Sequence, residues 1–146
     1  ISLHPDFREF IQLLNAHNVQ YLVVGGFAVT FHGYPRATKD IDIWIWLDAA
    51  NAEKMIGALD EFGFKSLGLK AADFLEDDQI IQLGYPPARI DLLTTLPGID
   101  FKDCFPSRVE AQIDDTLVNF IDLENLKRNK RASGRLQDLL DLKNLE

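Results

Sequence analysis

The chain has 146 residues and a mass of 16.6 kDa, and its 47% hydrophobic and 26% charged residues suit one globular domain over residues 1–146. Cys104 is the single cysteine, which excludes a disulfide scaffold and favours a reducing, cytoplasmic location. The net charge of −8 argues against a protein that coats nucleic acid. No apolar run is long enough for a membrane span, so we expect no membrane partner.

Hydrophobic periodicity and glycine positions predict the order of the elements. In chain order we expect a helix over 5–15, a strand over 21–24, a helix over 27–31, a strand over 41–47, a helix over 51–62, strands over 80–83 and 89–93, a helical turn near 101–105, a strand over 117–121, and helices over 123–133 and 135–145. The turn at 84–87 contains two prolines, so its flanking strands should form a hairpin. This order indicates an α+β (α/β mixed-sheet) protein, with helices flanking the sheet and a C-terminal helical pair.

Two aspartates stand out on the second predicted strand. Because side chains alternate along a strand, Asp40 and Asp42 should share one face, roughly 6.5 Å apart along the strand, while Ile41 and Ile43 face the core. Two carboxylates so close resist ionisation unless a cation or protons compensate. The pair is therefore either a solvent-exposed strand end or a metal site, whose oxygen ligands suit Mg²⁺. With 16 aspartates in the chain, the spacing alone does not decide between them.

Two further features bear on this choice. Gly25 and Gly26 close a strand and open a helix, where backbone N–H groups can approach a phosphate; the alternative is an ordinary tight turn. Asp91 lies inside an apolar run, where an unpaired charge is costly. Its partner is either a metal ion or a basic residue such as Arg89.

The end of the chain reverses the overall charge. From Lys127 onward there are six basic and three acidic residues, a net charge of +3, against −11 over the first 126 residues. A basic segment on an acidic body predicts one localised anion site, and the alternative is a helix face that is basic only because it is solvated.

The combined pattern resembles the nucleotidyltransferase superfamily, which has the DNA polymerase β-like fold. Its pattern is hydrophobic-G-[G or S], a spacer, D-h-[D/E]-h and a downstream acid; here these are Val24-Gly25-Gly26, thirteen residues, Asp40-Ile41-Asp42-Ile43 and Asp91. The segments at 123–127 and 134–139 are similar to the C-terminal helices of small prokaryotic members, the minimal nucleotidyltransferases and abortive-infection toxins. The resemblance extends over nearly the whole chain.

This resemblance implies transfer of a nucleoside monophosphate from a nucleoside triphosphate to a hydroxyl on RNA, protein or a small molecule. It implies that Asp40, Asp42 and Asp91 are the catalytic acids and bind two Mg²⁺ ions. Gly25 and Gly26 would cradle the triphosphate, and five basic residues would offset its charge: Arg36, Lys39, Lys127, Lys130 and Arg135.

The resemblance leaves two points open. The toxin-type members suggest a cognate antitoxin or other partner protein, and the acceptor is undetermined. Many members have serine where this chain has Gly26, so only the backbone is available there. The alternative function is a non-catalytic nucleotide- or protein-binding module of the same fold.

Overall fold

The chain combines helices and strands in the computed structural model, which describes residues 2–35, 38 and 40–146. Within these ranges the strands are β1 (Tyr21–Val24), β2 (Asp40–Ile45), β3 (Ile80–Leu83), β4 (Arg89–Leu93), β5 (Val109–Ile113) and β6 (Thr116–Phe120). The α-helices are α1 (Pro5–Ala16), α2 (Gly25–Phe31), α3 (Ala49–Phe62), α4 (Phe101–Cys104), α5 (Leu123–Ser133) and α6 (Leu136–Leu145).

The strands form one mixed sheet in the order β3-β4-β2-β1-β6-β5. Two hairpins, β3–β4 and β5–β6, form its edges, and the central β1 and β2 are antiparallel to each other. Each central strand is parallel to the hairpin strand beside it, β2 to β4 and β1 to β6. This arrangement, with α5 and α6 packed together at the end of the chain, confirms the predicted α+β mixed sheet and its C-terminal helical pair.

Burial along β2 follows the predicted alternation. Ile41 and Ile43 are fully buried in the hydrophobic core, whereas Asp40 and Asp42 are only partly covered. The core side of the molecule also contains the apolar stripe of α1, which contacts α3 and β6. The opposite face of β2 is therefore the one that carries carboxylates, followed along the strand by buried Trp44.

Several elements differ from the sequence prediction, and among them helix α3 starts at Ala49, two residues before the predicted start. Helix α2 starts at Gly25, two residues early, because the chain turns into the helix at a residue with φ of +65° rather than after a loop. Strand β2 ends at Ile45 instead of continuing to residue 47. Strand β5 was not predicted, because Glu110 and Gln112 dilute its β propensity and only β6 pairs with it.

No helix in the described part of the chain is long and apolar enough to span a bilayer. The longest, α3, has 14 residues.

A buried asparagine fixes the start of α3 against the sheet. The Asn51 side chain accepts a hydrogen bond from the Gln20 backbone N–H at 2.7 Å and donates to the carbonyls of Gln20 and Trp46, both at 3.1 Å. Its own backbone N–H donates to the capping carboxylate of Asp48 at 3.1 Å. One side chain therefore satisfies the backbone at the ends of both central strands.

We expect Asn51→Ala to lower the free energy of unfolding by about 2–3 kcal/mol, because it leaves buried backbone groups without partners. Urea denaturation measures the change. Asn144→Ala, at an exposed position on α6, is the control and should change stability by less than about 0.5 kcal/mol. Equal effects of the two substitutions would contradict the role given to Asn51.

Candidate active site

The three predicted acids meet on one face of the sheet. Strands β2 and β4 are parallel and in a register that places Asp42 opposite Asp91, and Asp40 opposite Arg89. On the other side of β2, Asp42 pairs with Val24, the last residue of β1. All three carboxylates line a cavity of about 590 Å³, together with Gly25 and residues of α5 and α6. Its volume falls within the range of small-molecule sites.

Arg89 binds two of the three carboxylates. One terminal nitrogen (Nη2) donates to Asp40 Oδ2 at 2.7 Å and to Asp91 Oδ2 at 3.1 Å, and Nε donates to Asp91 Oδ1 at 3.1 Å. These hydrogen bonds, above all those to Asp91, raise the pKa of the Arg89 guanidinium. Asp91 therefore has the basic partner that its sequence context left as the alternative to a metal ion.

Asp42 differs from the other two acids, because no described residue donates a hydrogen bond to its carboxylate. Burial, followed by repulsion from Asp91 and Asp40, raises its pKa from 3.8 to about 6. The positive charges of Lys130 and Arg89 act in the opposite direction without cancelling these effects. The ionised form of Asp42 is thus disfavoured by burial and repulsion, and a bound cation would stabilise it.

Gly25 lets Asp42 lie directly against the backbone between β1 and α2. A β-carbon at this position would overlap Asp42 Oδ2 and come within 3.0 Å of Asp42 Cγ. The φ of +65° also favours glycine here. Gly26, in contrast, is buried in the first turn of α2 and is not part of the cavity lining.

The predicted basic residues are placed differently from one another. Lys130 lines the cavity, but its buried ammonium binds Asp138 Oδ1 and Asp141 Oδ2, both at 3.1 Å. Arg135 also lines the cavity and binds Asp138 at 2.8 Å, while its side chain is 78% exposed. Lys127 does not line the cavity. Arg36 and Lys39 lie outside the described residues.

Two functional neighbours, Asp138 and Asp141, were missed in the sequence. Both aspartates are buried, whereas Leu136 on the same helix is 86% exposed. The hydrogen bonds that Asp138 receives from Arg135, Ser133 and Lys130 outweigh the effect of burial and lower its pKa to about 2. The available signal was that Asp138 and Asp141 are three residues apart and therefore share a helix face, facing the basic residues of α5.

The donor set suits a hard divalent cation, although it is not assembled around one. Carboxylate oxygens are the ligands Mg²⁺ prefers, and Asp40 Oδ1 is buried with no hydrogen-bond partner among the described residues. Within that same part of the chain, no three acidic, histidine or cysteine side chains are arranged to hold a metal ion as they stand. Arg89 accounts for this, because it holds Asp40 and Asp91.

The raised pKa of Asp42 predicts a pH-dependent cost to stability. Between pH about 4 and about 6 the folded chain holds a proton on Asp42 that the unfolded chain has lost, so stability falls as pH rises through this window. We expect Asp42→Asn to stabilise the metal-free protein at pH 8 by about 1–3 kcal/mol, and to change it little below pH 4. Urea denaturation in EDTA at both pH values measures this, and a pH-independent effect would contradict it.

Gly25→Ala should destabilise the protein more than the same substitution at a glycine that has a positive φ but no neighbouring atoms around its β-carbon position. Gly68 is the matched control, because its φ is +67° and nothing lies within 4 Å of a β-carbon built there. We expect about 1 kcal/mol for Gly68→Ala and at least about 1 kcal/mol more for Gly25→Ala, since Asp42 must also move. Thermal unfolding of both variants compares them; equal losses would show that the close approach of Asp42 has no energetic weight.

The chain matches no protein-family model and no curated protein, but solved structures share its fold. A Thermotoga maritima protein inferred to be a nucleotidyltransferase superposes with a TM-score of 0.64 and 14% identity, over 94% of this chain and 88% of that one. An antigenic nucleotidyltransferase-like protein from Paracoccidioides brasiliensis superposes with a TM-score of 0.53 and 18% identity, over 99% of this chain and 78% of that one. The lincosamide antibiotic adenylyltransferase LnuA, with lincomycin bound, superposes with a TM-score of 0.54 and 19% identity, over 99% of this chain and 96% of that one. The chain therefore has the nucleotidyltransferase fold.

Proposed function

We propose that this protein is a Mg²⁺-dependent nucleotidyltransferase that moves a nucleoside monophosphate from a nucleoside triphosphate to a hydroxyl acceptor. The observation that carries the proposal is the placement of Asp40, Asp42 and Asp91 in one cavity, on adjacent parallel strands of this fold. The cavity holds three carboxylates, and one arginine bridges two of them. The described neighbours of Asp42 do not fully offset this negative charge, which together with burial raises the pKa of Asp42. A divalent cation would offset that charge.

The proposed roles of the acids are those that the resemblance to nucleotidyltransferases implies. Asp40 and Asp42 would hold both Mg²⁺ ions, and Asp91 would complete the site nearest the acceptor hydroxyl. Bound there, the two ions would activate the attacking oxygen and stabilise the leaving pyrophosphate. The chain itself supplies the alignment, because β2 and β4 fix the carboxylate positions before any substrate arrives.

The triphosphate would lie between the three acids and the basic residues that line the cavity. Among the described basic residues, Arg135 is best placed to meet it, because its guanidinium is exposed and lines the cavity. Gly25 and Lys130, which line the cavity, are further proposed nucleotide contacts. The other proposed contacts are Arg36 and Lys39, together with Gly26 and Lys127, which do not line the cavity and would meet only a part of the nucleotide that extends beyond it. For Lys130 the contribution would be electrostatic, since its ammonium already binds two carboxylates.

A second cavity, of about 390 Å³, shares Thr95 and Leu96 with the first and offers a place for the acceptor. Its walls include the stacked rings of Trp46 and Phe101, 6.4 Å apart, and its rim carries more acidic than basic residues. Such a surface suits a small or cationic acceptor better than the phosphates of RNA. LnuA, which shares the fold, is an adenylyltransferase with a small molecule, lincomycin, bound.

A second candidate is a non-catalytic module that binds a nucleotide or a partner protein such as an antitoxin. The bridge from Arg89 to Asp40 and Asp91 favours this candidate, because the positively charged guanidinium can take the place of a metal ion in holding the carboxylates together. The two candidates differ in turnover, and a module would bind without releasing pyrophosphate.

We expect Asp42→Asn and Asp91→Asn each to reduce the rate of pyrophosphate release at least about 10³-fold. Each substitution removes a carboxylate ligand of the Mg²⁺ ions that would stabilise the negative charge of the transition state. Release would be measured with Mg²⁺, each of the four nucleoside triphosphates and a panel of small cationic, protein and RNA acceptors. Asp60→Asn, an exposed change on α3 outside the cavity, is the control and should retain full activity.

Thermal unfolding of the variants separates loss of chemistry from loss of fold. Full activity in folded Asp42→Asn and Asp91→Asn would refute the catalytic assignment. Calorimetric binding of Mg²⁺ and ATP or GTP by the unsubstituted protein, with no product from any acceptor, would support the non-catalytic module.

A further inference from the structure

We propose that the Arg89 guanidinium is a resident cation of the acidic site, and that it competes with divalent metal ions for Asp40 and Asp91. The inference rests on the metal site of the proposed function and adds to it a residue that sets metal affinity. Arg89 is a positioning residue in this role, since it acts through the carboxylates.

The position of Arg89 follows from the pairing of two strands. Arg89 and Asp91 are two residues apart on β4 and so share a face, and the parallel register sets Arg89 beside Asp40 on β2. The guanidinium fork then reaches one oxygen of Asp40 at 2.7 Å and both oxygens of Asp91 at 3.1 Å. Three of the four carboxylate oxygens of these two acids are thereby engaged.

The oxygens that the guanidinium leaves free belong to Asp40 and Asp42 alone, so Asp91 is the acid whose use by a metal ion is in competition. Asp40 Oδ1 is buried and has no hydrogen-bond partner among the described residues. A Mg²⁺ or Mn²⁺ ion that draws on Asp91 needs lone pairs that now accept from the guanidinium. It also meets a like charge a few ångströms away, so its binding requires Arg89 to leave the bridge.

Arg89 has room to move. Its side chain is 31% exposed, and it lines the cavity of about 590 Å³ rather than the packed core. The long, flexible side chain can therefore rotate away from Asp40 and Asp91 without disturbing β4. By contrast, the ammonium of Lys130 has 6% exposure and is held by two buried acids, so it does not share this freedom.

The test is the affinity of the metal-free protein for Mn²⁺ alone, read by the electron paramagnetic resonance signal of free Mn²⁺. We expect Arg89→Gln to bind Mn²⁺ about five- to tenfold more tightly than the unsubstituted protein, because the competing charge is gone. Arg89→Lys keeps the charge but cannot bridge two carboxylates in the same way, and should fall between the two.

Arg108→Gln is the matched control. Arg108 has 29% side-chain exposure and an ion pair with Glu110 at 2.9 Å, outside the cavity, so this variant should bind Mn²⁺ like the unsubstituted protein. A second readout is the melting temperature. Mn²⁺ should raise it more in Arg89→Gln than in the unsubstituted protein, since metal relieves a repulsion that the arginine no longer offsets.

The outcomes separate the inference from the proposed function. Equal or weaker Mn²⁺ binding by Arg89→Gln or Arg89→Lys, with clear binding by the unsubstituted protein, would overturn the competition and leave the metal-dependent function standing. If Mn²⁺ bound to none of these proteins, both would fail. Tighter binding in Arg89→Gln that is lost again in Arg89→Gln/Asp42→Asn would support the competition at this site.

Discussion

Repulsion among three carboxylates is the constraint around which the site is built. Asp40, Asp42 and Asp91 lie on adjacent strands whose pairing brings the backbones to within roughly 5 Å. The structure offsets the charge unequally, since Arg89 binds Asp40 and Asp91 while Asp42 keeps a raised pKa. The fold therefore holds an unmet negative charge at one defined position, which is the condition for cation binding.

A second charged cluster lies where α5 and α6 meet, and Lys130, Arg135 and Asp138 of this cluster line the cavity. Lys130 binds Asp138 and Asp141 with almost no solvent contact, and so ties α5 to α6 across the turn at Gly134. Asp138 in turn positions Arg135 at the cavity. One cation of the basic C-terminal segment, Lys130, is thus neutralised inside the protein, and Arg135 is the exposed cation of the segment that lines this cavity.

Local sequence was sufficient for the faces of β2 and for most of the elements, with β5 the exception. Helix α3, its αL cap at Gly63, and the alternation of Asp40 and Asp42 with buried isoleucines all follow from short-range patterns. Arg89, two residues before Asp91 on the same strand, was also a candidate partner from local sequence. Its bridge to Asp40 was not predictable, because it depends on the register between β2 and β4, which are separated by more than forty residues. The inward-facing acids of α6 were missed for the same reason: only the packing of α6 against α5 shows that Lys130 pairs with them.

The division between fixed and movable parts suggests where specificity can vary. The acids sit on paired strands, and Asp42 is held against the backbone at Gly25, so their positions are set by hydrogen-bonded structure rather than by loops. The two cavity arginines, Arg89 and Arg135, have long side chains with partial or high exposure. Substitution of these arginines can therefore change metal or nucleotide affinity while the positions of the carboxylates stay constant. Affinity can vary in this way without a change in the strands that support the acids.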